Sequence, residues 1–422
     1  MSTTPHPANT LLRYLLTASL VRTASGGAAV GLFSLAVRGS GGAGLGGLLA
    51  ALLTAPYVAG PWLAGVLDRA RDGRRVLAVS FVVFGAALAS AALLLGRVPA
   101  ALVAVLVGVA GLCGPLVTGG LSSRLAALDG LAARAQRRAE GWDSATYGIG
   151  NTLGPAAVGA AGAVLGPRGA VVCLGVAAVL AAFAVLSLPA VEPAGRGADG
   201  RGAEPLRVRQ TFRVIASVGP LRRVMLAMAL TALVAGGITV LATTLGRQLG
   251  GGAGAGAALA AVYGFGYLGG SVLVGIVPLP GEPERTSIVL VAVSAGAVAC
   301  CAVAPGYAVA VAAFAAAGAA SALLFTATLA VRSVYAPPAA RAQVYVSMGA
   351  LKMAVSSAGT AVAGSLMGLG PRTLLGAGTA VTLLALAAVL ADRRLALRRT
   401  ERKSDGISSA RNNTGRFPSE IS

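Results

Sequence analysis

The chain has 422 residues, of which 56% are apolar, 11% are charged and 60 are glycine. A soluble domain carries about 25% charged residues and about 7% glycine, so this composition excludes an ordinary soluble protein. The net charge of +20 is typical of either a nucleic-acid partner or basic loops beside a membrane. The one histidine, His6, lies near the N-terminus, and no G-K-[ST] phosphate-binding sequence is present. The sequence therefore predicts no enzyme, no metal site and no cofactor.

Long apolar stretches recur from end to end and predict twelve membrane-spanning helices. Each stretch is close to the ~20 residues that cross a bilayer, and continuous hydrophobicity favours helices over barrel strands. The predicted spans cover residues 11–36, 43–67, 75–96, 99–121, 141–165, 169–189, 221–246, 254–278, 286–305, 307–333, 342–368 and 371–392. The predicted fold class is an all-α membrane protein with two pseudo-symmetric six-helix halves.

The loop after the second span contains a pattern of glycine, acid and arginine. Residues 65–75 read G-V-L-D-R-A-R-D-G-R-R. This resembles the G-x-L-x-D-R-x-G-R-R signature of the major facilitator superfamily, with the acid one position early and two extra residues before the second glycine. An acid at a helix end can pair with neighbouring arginines or cap a facing helix N-terminus. The resemblance implies a latch between two halves of a transporter, and the alternative is a basic loop without that role. The candidate latch residues are Gly65, Asp68, Arg69, Gly73, Arg74 and Arg75.

Span 5 contains Gly150, Gly154, Pro155 and Gly159. This spacing resembles the span 5 motif of drug:proton antiporters in the same superfamily, with Val158 in place of one glycine. Small residues let another helix approach closely, and proline bends a helix by removing a hydrogen bond. In those antiporters the motif accompanies export, so the resemblance implies efflux. Ordinary packing of small residues is the alternative.

The predicted spans divide into two similar halves. The expected organisation is a tail over 1–10, an N-terminal half over 11–189, a linker over 190–220, a C-terminal half over 221–392 and a basic, mostly disordered tail over 393–422. The tripeptide R-A-Q occurs at 134–136 and 341–343, and G-P-R occurs at 166–168 and 370–372. The agreement of both pairs in order and offset predicts an internal repeat, which is a known transporter architecture.

Arginines and lysines fall mainly on one side of the predicted bundle. Alternate loops, the linker and the C-terminal tail on that side hold 26 of them, and the opposite side holds five. Positive charge marks the cytoplasmic side, so both termini are expected in the cytoplasm, in a multi-pass protein of a bacterial cell membrane. Cations spread over separate loops do not form the contiguous surface that nucleic acid requires, and no nucleic-acid partner is expected.

Two cations are predicted near the middle of the membrane. Arg22 lies 11 residues into span 1, and Lys352 about 10 residues into span 11. Such charges are costly and usually functional. Asp143 is expected only about two residues into span 5, level with Arg13 rather than with Arg22. No acid is therefore predicted at the depth of the two cations.

Three roles for these cations remain open at this stage. They could be counter-charges for an anionic substrate, Lys352 could itself exchange the proton, or the cations could bind carbonyls of a broken helix. Asp143 is the alternative proton carrier. The candidate substrate-binding residues are Arg22, Lys352, Tyr147, Asn151 and Ser356, and the candidate proton-coupling residues are Asp143 and Lys352.

Together these patterns predict a secondary transporter that works by alternating access. The resemblance implies proton-coupled efflux of a small organic compound by a monomer in the lipid bilayer. Many proton-coupled relatives carry an arginine inside span 4, and residues 99–121 contain none. A transport-inactive membrane partner protein and an uptake transporter of the same fold are the alternatives.

Overall fold

The computed structural model describes residues 7–38, 42–126, 133–189, 208–250 and 253–414, and this part of the chain is almost entirely helical. Ten of its helices are long and apolar enough to cross a membrane. One of them, Arg134–Leu186, is interrupted at Gly166 and supplies two spans. The remaining span, Arg341–Ser365, contains a lysine and several serines, threonines and glycines that lower its hydropathy. The prediction of twelve membrane helices is confirmed.

The N-terminal half contains six spans built from seven helices. The second span is α2 and α3 joined by a 3-10 turn over Ala55–Ala59, and the fourth is α5 and α6 joined by a π-helical turn over Leu116–Gly120. The helices are α1 (Pro7–Arg38), α2 (Gly42–Thr54), α3 (Gly60–Arg69), α4 (Gly73–Leu94), α5 (Ala100–Pro115), α6 (Leu121–Ala126) and α7 (Ala133–Leu186).

The C-terminal half repeats this arrangement, preceded by one short helix. Thr211 and Ile215 are buried on one face of that short helix, which lies against the start of the eleventh span. The helices are α8 (Val208–Ser217), α9 (Gly219–Gly250), α10 (Ala253–Ile276), α11 (Pro283–Val303), α12 (Tyr307–Tyr335), α13 (Arg341–Ser365) and α14 (Pro371–Thr414).

Three predicted boundaries differ from the structure. Helix α7 begins at Ala133 rather than 141, because its charged first two turns are helical although they are not apolar. The predicted linker contains helix α8, whose apolar face is buried. The predicted disordered tail from 393 is helical as far as Thr414, as a continuation of α14. Most of the linker, the residues over 1–6 and those over 415–422 lie outside the described part of the chain.

The repeated G-P-R tripeptides occupy equivalent places in the two halves. In each, a glycine at positive φ ends one span and a proline begins the next. The arginine that follows donates to a carbonyl oxygen at the end of the third span of its own half. These bonds join Arg168 Nη2 to the Leu95 oxygen at 2.9 Å and Arg372 Nη2 to the Ala304 oxygen at 2.7 Å.

Glycines bring the first and fifth spans of each half into backbone contact. A Cβ at Gly150 would lie 2.6 Å from the Arg22 carbonyl oxygen, and a Cβ at Gly154 would lie 2.5 Å from the Gly27 nitrogen. Gly236 of α9 and Gly359 of α13 meet the facing backbone in the same way. Each half is therefore a tightly joined unit along this helix pair.

Adding one methyl group at Gly150 tests this contact. We expect Gly150→Ala to destabilise the protein by about 1–3 kcal/mol, because a backbone carbonyl must shift to admit the Cβ. Gly159→Ala is the matched control, since a Cβ at Gly159 meets nothing within 4 Å. It should be neutral or slightly stabilising. Unfolding in mixed micelles measures both, and equal stability of the two variants would contradict the contact.

Candidate functional site

The two halves are joined at their arginine-rich side, where the candidate latch lies. Asp68, near the end of α3, accepts hydrogen bonds from the backbone nitrogens of Ala342 and Gln343, both at 3.0 Å. These nitrogens belong to the first turn of α13 in the other half, so the acid caps a facing helix N-terminus. Two roles were considered for Asp68, pairing with neighbouring arginines and capping a facing helix, and the structure shows the cap. Ala342 and Val346 of α13 also join the apolar core of the N-terminal half.

The arginines of the candidate latch support the loop rather than cross between halves. Asp72 begins α4 and accepts from the Arg74 backbone nitrogen and Arg74 Nε, each at 3.0 Å. The bonded Arg74 guanidinium holds the pKa of the Asp72 carboxyl below its usual value. Arg75 is 82% exposed and lies 3.7 Å from Asp72. Arg69 is exposed as well.

The two glycines of the pattern are sites of close approach. A Cβ at Gly65 would lie 3.3 Å from the Gln343 side-chain nitrogen of α13, and Gly73 faces the Arg124 guanidinium. Arg124 donates to the Leu67 carbonyl oxygen at 3.1 Å. The pattern therefore combines one acid that bridges the halves with small residues that leave room for it.

At the centre of the N-terminal half, Arg22 and Asp143 form a buried ion pair. Arg22 Nη1 lies 2.7 Å from Asp143 Oδ1, and each side chain is 2% exposed. Tyr14 donates to Oδ1 at 2.5 Å and Ser122 donates to Oδ2 at 2.8 Å, so both carboxylate oxygens are satisfied. Arg22 also donates to Ser122 and to the Thr146 hydroxyl. This corrects the prediction that Arg22 has no acid at its depth.

The physical reason is the true start of the fifth span. Because α7 begins at Ala133, Asp143 lies ten residues into the helix, or about 15 Å at 1.5 Å per residue. The predicted start at 141 had placed Asp143 only about two residues into the span. Arg13, the predicted partner, instead donates to the Ser187 carbonyl oxygen.

Tyr147 connects this ion pair to the other half. Its hydroxyl lies 3.0 Å from Ser122, and the Arg22 guanidinium carbon lies 3.6 Å from the centre of its ring. The same ring meets Phe325 of α12 edge to face, with centroids 4.9 Å apart. Lys352 Nζ lies 3.7 Å from the centre of the Phe325 ring. Each of the two cations thus contacts one ring of this aromatic pair.

Lys352 lines a cavity inside the C-terminal half. The cavity has an empty volume of about 680 Å³ including its mouth, and helices α9 to α14 all contribute to its wall. In the part of the chain that the structure describes, no hydrogen-bond acceptor or carboxylate bonds to the Lys352 amine. Its contact is the face of Phe325, which is a weaker partner than an anion.

Arg332 lies behind the same cavity, at the end of the predicted span over 307–333, and it was counted with the cations of the loop that follows. It is buried in α12 at 2% exposure, and its Nη2 contacts the Met228 sulfur at 2.8 Å and the Thr328 hydroxyl at 3.2 Å. Its Nε has no hydrogen-bond partner. Hydropathy missed this residue because a charge in the last turn of a span resembles the start of a loop. The sequence feature that indicates its helical position is Pro337, because a helix can continue up to the residues before a proline.

A further acid that sequence analysis missed lies between the halves. Glu140 of α7 is 3% exposed, and its Oε1 accepts from Ser333 of α12 at 2.5 Å and from Gln136 at 3.2 Å. Its Oε2 is buried without a hydrogen-bond partner. The sequence did contain evidence for a polar helix face here, because Gln136, Glu140 and Asp143 recur at helical spacing and share one face of α7.

The other predicted site residues are more peripheral. Asn151 is exposed on α7, and Ser356 packs its backbone against Gly236 of α9. Pro155 lies within α7 one residue beyond Gly154. The structure therefore brings Arg22, Asp143 and Tyr147 together, and it places Lys352 beyond the aromatic pair.

Comparison with known proteins shows similarity in structure without a match in sequence. No protein-family model matches the chain, and no curated protein does. Over 91% of its length the chain is similar to the crystal structure of the human organic anion transporter MFSD10 (TETRAN), with a TM-score of 0.73, 15% identity and coverage of 100% of that protein.

Two further solved structures have the same fold. A bacterial homologue of the iron transporter ferroportin, in an outward-facing state, gives a TM-score of 0.70 at 15% identity and covers 91% of this chain and 99% of its own. The major facilitator superfamily transporter FucP, in its outward conformation, gives a TM-score of 0.65 at 14% identity, with coverage of 91% and 98%. With its twelve spans and repeated halves, the chain has the fold of the major facilitator superfamily transporters.

Proposed function

We propose that this chain is a secondary transporter that exports a small organic compound by alternating access, in exchange for protons. The observation that carries the proposal is the set of polar contacts between the halves at the arginine-rich side, led by the Asp68 cap on α13. A few such bonds can break and re-form as two tightly joined halves rock. The cavity beside Lys352 supplies a binding space at the depth expected for this fold.

The conformation fits an outward-facing transporter. On the arginine-rich side α13 lies against α3 and the π-helical turn of the fourth span. By the excess of positive charge, we infer that the closed side faces the cytoplasm of a bacterial cell and that both termini lie there. The direction of export follows from the resemblance of span 5 to the antiporter motif.

Glu140 is a further candidate for proton coupling beside Asp143 and Lys352. Both Asp143 oxygens already accept hydrogen bonds, from Arg22, Tyr14 and Ser122 of the N-terminal half. Glu140 lies in the closed gate, which is the contact between the halves made by α3, α7, α12 and α13 at the arginine-rich side. One of its oxygens is buried without a hydrogen-bond partner, and burying a neutral acid costs less free energy than burying a charged one. The titratable groups near Glu140 are Arg137 and Asp143 on its own helix and Tyr345 on α13.

We expect the closed gate at the arginine-rich side to weaken as the pH rises, because ionised Glu140 is stabilised by water when the halves part. Glu140→Gln should keep the gate closed at all pH values, since a neutral amide can still bond Ser333. Spin-label distances across the gate from pH 5 to 9 measure this. Glu282→Gln is the control, since Glu282 pairs with Arg285 on the same helix start. An unchanged pH dependence in Glu140→Gln would refute the role.

Transport itself is tested with purified protein in proteoliposomes. A pH gradient is imposed, and a panel of anionic, neutral and cationic organic compounds is followed together with a pH-sensitive dye inside the vesicles. Proton movement opposite to the compound supports the proposed exchange. Movement of both in the same direction would indicate uptake, and no movement of any compound would indicate a transport-inactive membrane partner.

A further inference from the structure

We infer that the cavity of the C-terminal half binds an organic anion with an apolar body, held by Lys352 and the positive field of Arg332. This inference deepens the proposed function by naming the substrate class of its binding space. It replaces the pair suggested by the sequence, Arg22 and Lys352, with a pair that lies in one half.

The first step is the charge of the cavity. Arg22 is neutralised by Asp143 in the N-terminal half, so it offers little to a ligand. Lys352 lines the cavity, and Arg332 bonds to Met228 and Thr328 of the cavity wall. No aspartate or glutamate lines this cavity among the described residues. Two cations in a membrane interior without an acid are a costly arrangement that an anionic ligand would relieve.

The second step is the shape and polarity of the wall. Most lining side chains are apolar, so the body of the ligand must be apolar as well. Ser294 of α11 is 7% exposed, and its hydroxyl has no hydrogen-bond partner. A buried unpaired hydroxyl in a cavity wall indicates a position for a polar ligand atom. Aliphatic contact is supplied by Ile238 and Leu324.

The third step is the position of the amine. Lys352 Nζ rests on the face of Phe325, which keeps it at the cavity wall. A carboxylate or sulfonate entering the cavity can bond to the three free donors of this amine while the ring stays in place. Arg332 lies within 6.0 Å of the centre of the same ring, so its charge reinforces that of Lys352 without needing direct contact.

The experiment measures binding of two isosteric probes, 2-naphthoate and neutral 2-naphthamide, to the purified full-length protein by calorimetry in detergent. We expect wild type to prefer the carboxylate by about 30-fold, in the range found for desolvated charge pairs. Lys352→Met should remove the preference and leave amide affinity within about threefold. Lys352→Arg should retain it.

Two further variants distinguish a loss of binding from a failure to fold. Ala235→Phe fills the cavity and should abolish binding of both probes, whereas Arg97→Gln, on a loop outside the cavity, should bind like wild type. Equal affinity of wild type for the two probes would overturn the inference. So would a preserved preference in folded Lys352→Met, or binding unchanged in Ala235→Phe.

These outcomes separate the inference from the proposed function. Calorimetry measures binding without transport. A carboxylate preference in a protein that moves no compound in vesicles would therefore support the anion site and contradict the proposed transport. Proton-coupled movement of neutral or cationic compounds, without a carboxylate preference, would support the proposed transport and contradict the anion site.

Discussion

Asp143→Asn is expected to destabilise the protein by about 3–5 kcal/mol, because it leaves the Arg22 guanidinium buried without its counter-charge. Arg22 is 3% exposed and cannot reach water from the middle of the bundle. Arg22→Met should cost a similar amount by leaving the acid unpaired. Unfolding in mixed micelles measures both free energies.

The double variant Arg22→Met/Asp143→Leu is the decisive control. Removing both charges removes the desolvation penalty, so the double variant should be at least 2 kcal/mol more stable than the sum of the single changes implies. Asp72→Asn breaks a partly exposed pair and should cost less than about 1 kcal/mol. Single variants within 1 kcal/mol of wild type would contradict a structural ion pair at this depth.

Asp68→Ala should open the gate on the arginine-rich side. The carboxylate accepts two backbone N–H groups of α13, and hydrogen bonds to a charged group contribute about 1.5–3 kcal/mol each. We expect a loss of about 3 kcal/mol from the closed conformation, or more than a hundredfold in the ratio of closed to open protein. Spin labels on α3 and α13 report the two populations.

Asp72→Ala is the matched control for this change. It also removes a carboxylate that caps a helix, but within one half, so it should lower global stability and leave the label distance unchanged. Asp68→Asn should retain part of the closure, because an amide oxygen can still accept one of the two bonds. Closed populations equal to wild type in Asp68→Ala would show that apolar contacts alone hold the gate.

The membrane spans and the repeat were predictable because both depend on local pattern. Apolar length identified each crossing, and the paired G-P-R and R-A-Q tripeptides marked equivalent helix starts. The Asp68 cap was one of two roles expected for an acid at a helix end. In each case the chemistry of a few neighbouring residues decides the structure.

The ion pair and the buried cation Arg332 could not be predicted in this way. Hydropathy shortens a span wherever charged turns remain helical, and it therefore placed Asp143 near a surface and Arg332 at the very end of a span, beside the loop. The π-helical turn in the fourth span adds to the difficulty, since it shifts the register that brings Ser122 to Asp143. Depth in the membrane depends on where helices start in three dimensions, which apolar length does not record.

The edge-to-face contact of Tyr147 and Phe325 has a consequence for the solvation of the two cations beside it. The Arg22 guanidinium lies against the ring of Tyr147 and the Lys352 amine against the ring of Phe325, so each cation has one ring of the pair as its neighbour. Because one ring belongs to each half, any separation of the halves would part the rings and admit water, whose high dielectric screens charge. The solvation of Arg22 and that of Lys352 are therefore linked to the same contact between the halves, although the two cations lie in different halves.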